Sequence, residues 1–396
     1  MTERPALVPV DAADLARLRM ALERALAGGP PIVPYAAAPF PLPPHDPARL
    51  PDGLALAIGT SGSTGAPKLA LLTGAALRAS AAATHAALGG PGRWLLALPA
   101  AHIAGVQVLV RARLADTRAV AVDRRGGFTA AAFVRAAQRL AAGSGPERAY
   151  TSLVPAQLAR LLADVAGADA LTRFDAVLVG GSALSPALRE RARAVGVRLV
   201  ATYGMSETAG GCVYNGLALP GTQVAVEPDG RVRLAGPTLA EGYLGLPART
   251  AKVFVSAAGE RWFRTDDLGE VEPDGRLRIL GRRDDVIVTG GYKVHPRVVE
   301  DAAVMHLPGV THAVAVGVPD AQWGRALALA LVVDSGSGVL GAGEATAWAR
   351  ERLRGELSAH ALPRRVIVVD ALPERGPGKP DRTAVAALVA RQMVGE

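Results

Sequence analysis

Near its start the chain places leucines at helical spacing, Leu15, Leu18, Leu22 and Leu26, and Gly28 and Gly29 end the pattern. That period predicts a helix within residues 11–27. Residues 30–51 are rich in proline and are expected to run extended over a surface. Short apolar runs then alternate with helical stretches. Strands are expected at 54–58, 94–98 and 119–122, with helices from about residue 73, near 106–114 and over 130–141. Further strands at 175–179 and 197–202 flank a helix that begins near Ser185. Such alternation predicts parallel strands layered with helices.

Past Pro220 the pattern changes. Asp229-Gly230 and Asp274-Gly275 each sit between short alternating segments and predict two β-hairpins. From Gly281 onward, strands near 313–318, 326–333 and 366–369 and helices near 296–305, 345–357 and 382–390 predict a compact α+β unit. The expected fold class is α/β. A large N-terminal domain of layered β-sheets and helices covers residues 1–281, and a small mobile α+β domain covers residues 282–396.

Two domains also suit a length of 396 residues, more than one hydrophobic core usually serves. Half the residues are apolar and a fifth are charged, which argues against disorder. The net charge of +8 comes almost wholly from arginines, and these are scattered with no aromatic-interleaved basic patch, so no nucleic-acid partner is expected. The single cysteine, Cys212, excludes an internal disulfide and a cysteine metal cluster. No signal peptide is visible, and the longest apolar stretch, 94–110, is broken by Pro99, His102 and Gln107 and is too short for a membrane span. A cytoplasmic protein is expected, with a homo-oligomer left open.

Only four lysines occur, Lys68, Lys252, Lys293 and Lys379, against 40 arginines. Where arginine fills nearly every generic basic position, a retained lysine is a candidate for chemistry, because arginine cannot supply a compact point charge on a flexible stem. Lys68 closes the segment Gly59-Thr60-Ser61-Gly62-Ser63-Thr64-Gly65-Ala66-Pro67-Lys68, which follows an apolar strand. Its glycines allow tight turns that expose backbone N–H groups, its hydroxyls add donors, and the lysine supplies a movable charge for a terminal phosphate. The spacing excludes a Walker-type loop, since Lys68 follows Pro67 and precedes Leu69.

This loop resembles the phosphate loop of the adenylate-forming superfamily, which includes acyl- and aryl-CoA ligases. Further similarities follow in that family's order. Leu98-Pro-Ala-Ala-His102-Ile-Ala-Gly105 resembles its histidine motif, and Thr202-Tyr203-Gly204-Met205-Ser206-Glu207-Thr208 its adenine and magnesium motif. Phe263-Arg-Thr-Asp266-Asp267-Leu-Gly269 resembles the ribose motif, with Asp266 where a glycine is commoner. Gly281-Arg282-Arg283-Asp284 and Gly290-Gly291-Tyr292-Lys293 resemble the hinge region. Pro377-Gly378-Lys379 with Arg382 resembles the C-terminal catalytic lysine motif.

The resemblance implies ATP, Mg²⁺ and coenzyme A as ligands and a small carboxylic acid as substrate. It implies a nucleotide site from Thr60–Gly65, Lys68, Thr202–Ser206, Asp267 and Arg282, with Tyr203 facing adenine and Gly180, Gly181 and Ser182 opposite. Glu207 would hold the metal, since magnesium takes few carboxylates together with phosphate oxygens. Lys379 would act during adenylation and Lys293 during thiol transfer, with Gly290 and Gly291 lining the thiol channel and Asp284 the hinge. His102, Ser152 and Gly204 would face the acyl group, with His102 a catalytic candidate as a gate or neighbour of the carboxylate.

Only 58 residues precede the phosphate loop. That compactness, and the segment Thr151-Ser152-Leu-Val-Pro-Ala-Gln157-Leu158, are similar to bacterial o-succinylbenzoate–CoA ligases of menaquinone synthesis. Ser152, Gln157 and Arg160 are candidates to meet a second substrate carboxylate. An acyl-AMP synthetase serving a carrier protein, a CoA ligase for another acid, and a non-catalytic nucleotide-binding protein remain the alternatives.

Overall fold

The computed structural model describes residues 6–36, 38–39, 41–60, 68–333, 342–373 and 380–394. Its largest sheet has seven strands, running in space from Leu217–Ala218 through Gly210–Tyr214, Leu199–Met205, Ala176–Val179, Ala149–Leu153 and Arg93–Leu96 to Val120–Ala121. The five strands from Val120–Ala121 to Leu199–Met205 are parallel, and Gly210–Tyr214 then returns antiparallel. Side chains alternate across this sheet, as strand geometry requires. Trp94, Leu96, Tyr150 and Leu178 enter one core, and Leu95, Leu153, Val177 and Val179 enter the other.

Helices Leu15–Leu26, Gly74–Ala87 and Ile103–Leu114 fill the first core, and a second, five-stranded sheet closes it. Helix Ile103–Leu114 lies between the layers and is buried on nearly every side, so even its Gln107 and Arg111 are inside. Helix ends are set locally: Thr73, Thr129 and Ser185 each accept a hydrogen bond from a backbone N–H three residues on. A third sheet, antiparallel throughout, contains both expected hairpins, pairing Gln223–Val226 with Arg231–Ala235 and Glu260–Val271 with Leu277–Arg282.

Beyond residue 282 stand a hairpin, Ile287–Thr289 with Tyr292–Val294, and a three-stranded sheet of Val310–Asp320, Gly324–Val333 and Arg365–Val368. The sequence Ala326-Leu-Ala-Leu-Ala-Leu331 explains why this sheet has two unequal faces. Leu327, Leu329 and Leu331 pack on helices Pro296–His306 and Ala342–Leu353, while the alanines admit helix Arg382–Val394 close to the other face.

Two expectations for the N-terminal region need correction. Residues 30–51 do not simply run over the surface: Ile32–Tyr35 is a buried strand, parallel to a further strand at Val8–Asp11 that the helical period did not reveal. The helix begins only at Leu15, capped by Asp14. No helix among the described residues is long and apolar enough to cross a membrane.

Candidate active site

Five of the candidate residues, Lys68, Tyr203, Glu207, Asp267 and Arg282, are linked by side-chain contacts that run between the three N-terminal sheets. Strand Leu54–Gly59 ends at Thr60, whose N–H donates to the Lys68 carbonyl at 2.8 Å, so both ends of the phosphate-loop segment are tied together. Ser61, Gly62, Ser63, Thr64 and Gly65 lie outside the described residues, as does Lys379. Ser206 Oγ donates to the Gly59 carbonyl at 3.0 Å and joins the base of that loop to the end of strand Leu199–Met205.

After Met205 the chain makes one turn of 3₁₀ helix, Ser206–Thr208, and enters Ala209 at φ 51°. An alanine there is strained. The structure holds it by three buried contacts. Ser80 Oγ and Gln107 Nε2 both donate to the Ala209 carbonyl, at 2.9 and 2.8 Å, and Thr208 Oγ1 donates to the Gly210 carbonyl at 2.7 Å. Glycine is needed beside this turn: a Cβ on Gly204 would lie 2.1 Å from the Gly210 carbonyl oxygen. Likewise, a Cβ on Gly180 would lie 2.2 Å from Thr202 Oγ1, so only glycine lets Thr202 pack this close.

Glu207 is buried in this turn, and Tyr243 Oη donates to its Oε1 at 2.7 Å. Burial pushes the Glu207 carboxyl above the usual carboxylate range, while the Tyr243 bond and the Lys68 charge pull it back. Lys68 Nζ lies 5.6 Å from the centre of the same tyrosine ring. No group of three or more His, Cys, Asp or Glu among the described residues could cage a metal ion. One carboxylate beside a phosphate loop is nevertheless the donor set that suits a magnesium ion carried mainly by phosphates.

Tyr203, three residues before the turn, is half-buried, and its hydroxyl donates to Asp267 Oδ2 at 2.8 Å. Asp267 and Arg282 are cross-strand partners, with Arg282 Nη1 3.7 Å from Asp267 Oδ1. Burial raises the Asp267 carboxyl, against the pull of the Tyr203 bond and Arg282. Arg282 is shared, because its Nη2 lies 3.6 Å from Asp266, which in turn lies 3.7 Å from Arg249. The residue that departs from the family pattern thus has two arginine partners.

On the sheet face toward the first core, Ser152 lies between Leu96 and Leu178 in register, and its Oγ is buried without a hydrogen-bond partner. Gln157 and Arg160 are otherwise engaged. Gln157 accepts from the Val154 N–H and donates to the Ala97 carbonyl, and exposed Arg160 donates to the Phe128 carbonyl. His102 is the exposed N-cap residue of helix Ile103–Leu114. Gly181 and Ser182 follow strand Ala176–Val179, with Ser182 half-buried.

Lys293 is exposed on the hairpin whose turn is Gly290-Gly291, at φ 55° and 82°. Gly290 sits against Trp323, where a Cβ would be 2.5 Å from the ring. Among the described residues no hydrogen bond or ion pair joins this hairpin to the Glu207–Asp267 cluster. Asp284 is exposed in the turn Arg283–Asp285, and its neighbour Asp285 pairs with Arg382 at 3.3 Å.

Sequence reasoning missed Tyr243, Ser80, Gln107 and Arg249. The one available signal was scarcity: the chain has six tyrosines, and a buried tyrosine hydroxyl requires a partner.

The chain matches the AMP-binding enzyme family over residues 8–244 and the AMP-binding enzyme C-terminal domain over residues 299–379. It is 44% identical over 350 residues to a probable 2-succinylbenzoate–CoA ligase of Mycobacterium tuberculosis, covering 88% of this chain and 87% of that one. It is 30% identical over 343 residues to the 2-succinylbenzoate–CoA ligase of Listeria innocua, covering 82% and 68%. Its structure resembles that of o-succinylbenzoate CoA synthetase from Bacillus subtilis in complex with its acyl-adenylate intermediate. There the TM-score is 0.70 at 27% identity, over 84% of this chain and 69% of that one.

Proposed function

The chain belongs to the AMP-binding enzyme family, with the adenylate-forming fold, and we propose that it is an ATP-dependent 2-succinylbenzoate–CoA ligase acting in the cytoplasm. The observation that carries this reading is a pair of contact chains, Lys68–Tyr243–Glu207 and Tyr203–Asp267–Arg282, each assembled from distant segments. It offers a cation for phosphates, a carboxylate for their metal, an aromatic face for a base and a carboxylate for ribose hydroxyls. The names of the relatives support the choice of acid.

In the first step a substrate carboxylate oxygen attacks the α-phosphorus of ATP and the bond to pyrophosphate breaks. Thr60–Gly65 and Lys68 hold the phosphates. Tyr203 and its neighbours Thr202, Gly204, Met205 and Ser206 hold adenine, with Gly180, Gly181 and Ser182 on the other side, while Asp267 and Arg282 hold ribose. When bound, magnesium supplies charge neutralisation at the phosphates, held by Glu207. Lys379 stabilises the charge developing at the α-phosphate. In the second step the thiol sulfur of coenzyme A attacks the acyl carbon, its proton is released to solvent, and AMP departs with the electron pair of the anhydride bond. Lys293 and the Gly290-Gly291 turn serve this step after residues 282–396 rotate about Asp284 relative to residues 1–281. His102, Ser152 and Gly204 border the acyl group.

Pyrophosphate release over a panel of acids tests the reading. 2-Succinylbenzoate should outpace benzoate and long-chain fatty acids, because a site built for a polar group penalises its absence. Benzoate or a fatty acid winning would overturn the substrate. Transfer to a carrier-protein thiol in preference to coenzyme A would overturn the acceptor.

A further inference from the structure

Tyr243 is buried, so its hydroxyl needs a partner, and the residue touches both Glu207 and Lys68, the groups assigned above to the metal and the phosphates. Its two-residue strand, Gly242–Tyr243, pairs antiparallel with Leu69–Thr73, placing Tyr243 opposite Ala70, two residues from Lys68. The flanking backbone is fixed to the same strand, with Glu241 N donating to the Leu71 carbonyl at 2.8 Å and Leu244 N to the Leu69 carbonyl at 2.9 Å. Tyr243 N donates to Thr250 Oγ1 at 2.9 Å, and the ring meets Phe254 edge-on at 5.9 Å.

So held, the hydroxyl reaches Glu207 Oε1 at 2.7 Å, while Ala240 N donates to the Glu207 carbonyl at 2.8 Å. The segment 240–243 therefore clamps Glu207 by main chain and by side chain. One carboxylate oxygen accepts from the tyrosine, which fixes the plane in which the carboxylate is presented. A hydroxyl-to-carboxylate bond in a buried setting is strong and directional.

We propose that Tyr243 is a positioning residue for adenylation: its hydroxyl orients Glu207 toward the nucleotide's metal, and its ring supports the Lys68 ammonium beside the phosphates. This rests on the assignment of Glu207 and Lys68 above.

Tyr243→Phe tests it, since the ring and its packing stay and only the hydroxyl goes. Calorimetric titration of the whole protein with ATP is run with magnesium and again with EDTA. Tyr243→Phe should bind ATP as the wild type does in EDTA and about tenfold more weakly in magnesium, with KM for the magnesium nucleotide rising more than kcat falls. A merely structural tyrosine would weaken both titrations alike, and that result, or no change in either, overturns the proposal. Glu207→Gln is measured in parallel. If it too keeps the wild-type response to magnesium, the metal role of Glu207 itself is wrong. If it loses that response while Tyr243→Phe retains it, only the role of Tyr243 fails. Thermal melting confirms that each variant is folded.

Discussion

Tyr203 and Asp267, 64 residues apart on two different sheets, are joined by a 2.8 Å hydrogen bond from phenol to carboxylate. The bond fixes the ring assigned to adenine against the carboxylate assigned to ribose, so the two halves of a nucleoside would meet one preorganised unit. Tyr203→Phe keeps the flat face and removes the bond. KM for ATP should rise roughly tenfold, about the worth of a hydrogen bond to a charged group, with kcat little changed. Steady-state pyrophosphate release measures both.

Asp267 separates binding from stability. Its carboxyl is raised above the ordinary 3.8 by burial first, so the folded chain holds its proton more tightly than the unfolded chain. The group's contribution is complete below the unfolded carboxylate range and is lost as pH rises through the higher folded value. Asp267→Asn removes that loss. The variant should melt higher than wild type at pH 7, and the gap should close near pH 4. Its ATP affinity should fall at least tenfold, because a neutral amide replaces an acceptor for two hydroxyls. A lower melting temperature at pH 7 would contradict the account.

Asp266 competes with Asp267 for Arg282, at 3.6 Å against 3.7 Å. Asp266→Asn leaves Arg282 with a single charged partner and should lower KM for ATP two- to fivefold. The gain is capped because Arg282 is half exposed and such pairs contribute at most about 1 kcal/mol. An unchanged KM would show that the sharing has no energetic weight.

The buried, unpaired Ser152 hydroxyl costs the fold something that a polar substrate group could recover. Ser152→Ala should therefore melt no lower than wild type, yet lose roughly tenfold in kcat/KM for 2-succinylbenzoate. Benzoate, with no second carboxylate, should be affected less. Equal losses for both acids would remove Ser152 from the substrate's polar end.

Asp284 lies in the exposed turn Arg283–Asp285, where Val286 N donates back to the Arg283 carbonyl at 3.3 Å. Proline at 284 fixes φ and removes an N–H, restricting rotation there. Asp284→Pro should retain measurable adenylation and slow thioester formation at least about tenfold, or 1.4 kcal/mol in barrier. Single-turnover kinetics of each half-reaction decide it, and wild-type rates in both would place the hinge elsewhere.

The sequence by itself determined what depends on neighbours along the chain. Helical period set Ala130–Ala142, and Asp-Gly turns set the hairpins of the third sheet. The ordered motifs single out Lys68, Tyr203, Glu207, Asp267 and Arg282. Tertiary structure alone decided which of these meet. Val8–Asp11 is a strand only because Ile32–Tyr35 supplies its ladder, and four residues carry no period of their own. Tyr243 reaches Glu207, and Arg249 reaches Asp266, through strand register and helix placement across tens of residues. Hydrogen bonds and ion pairs act over a few ångströms in space, and spacing along the chain encodes that distance only within a turn or a hairpin.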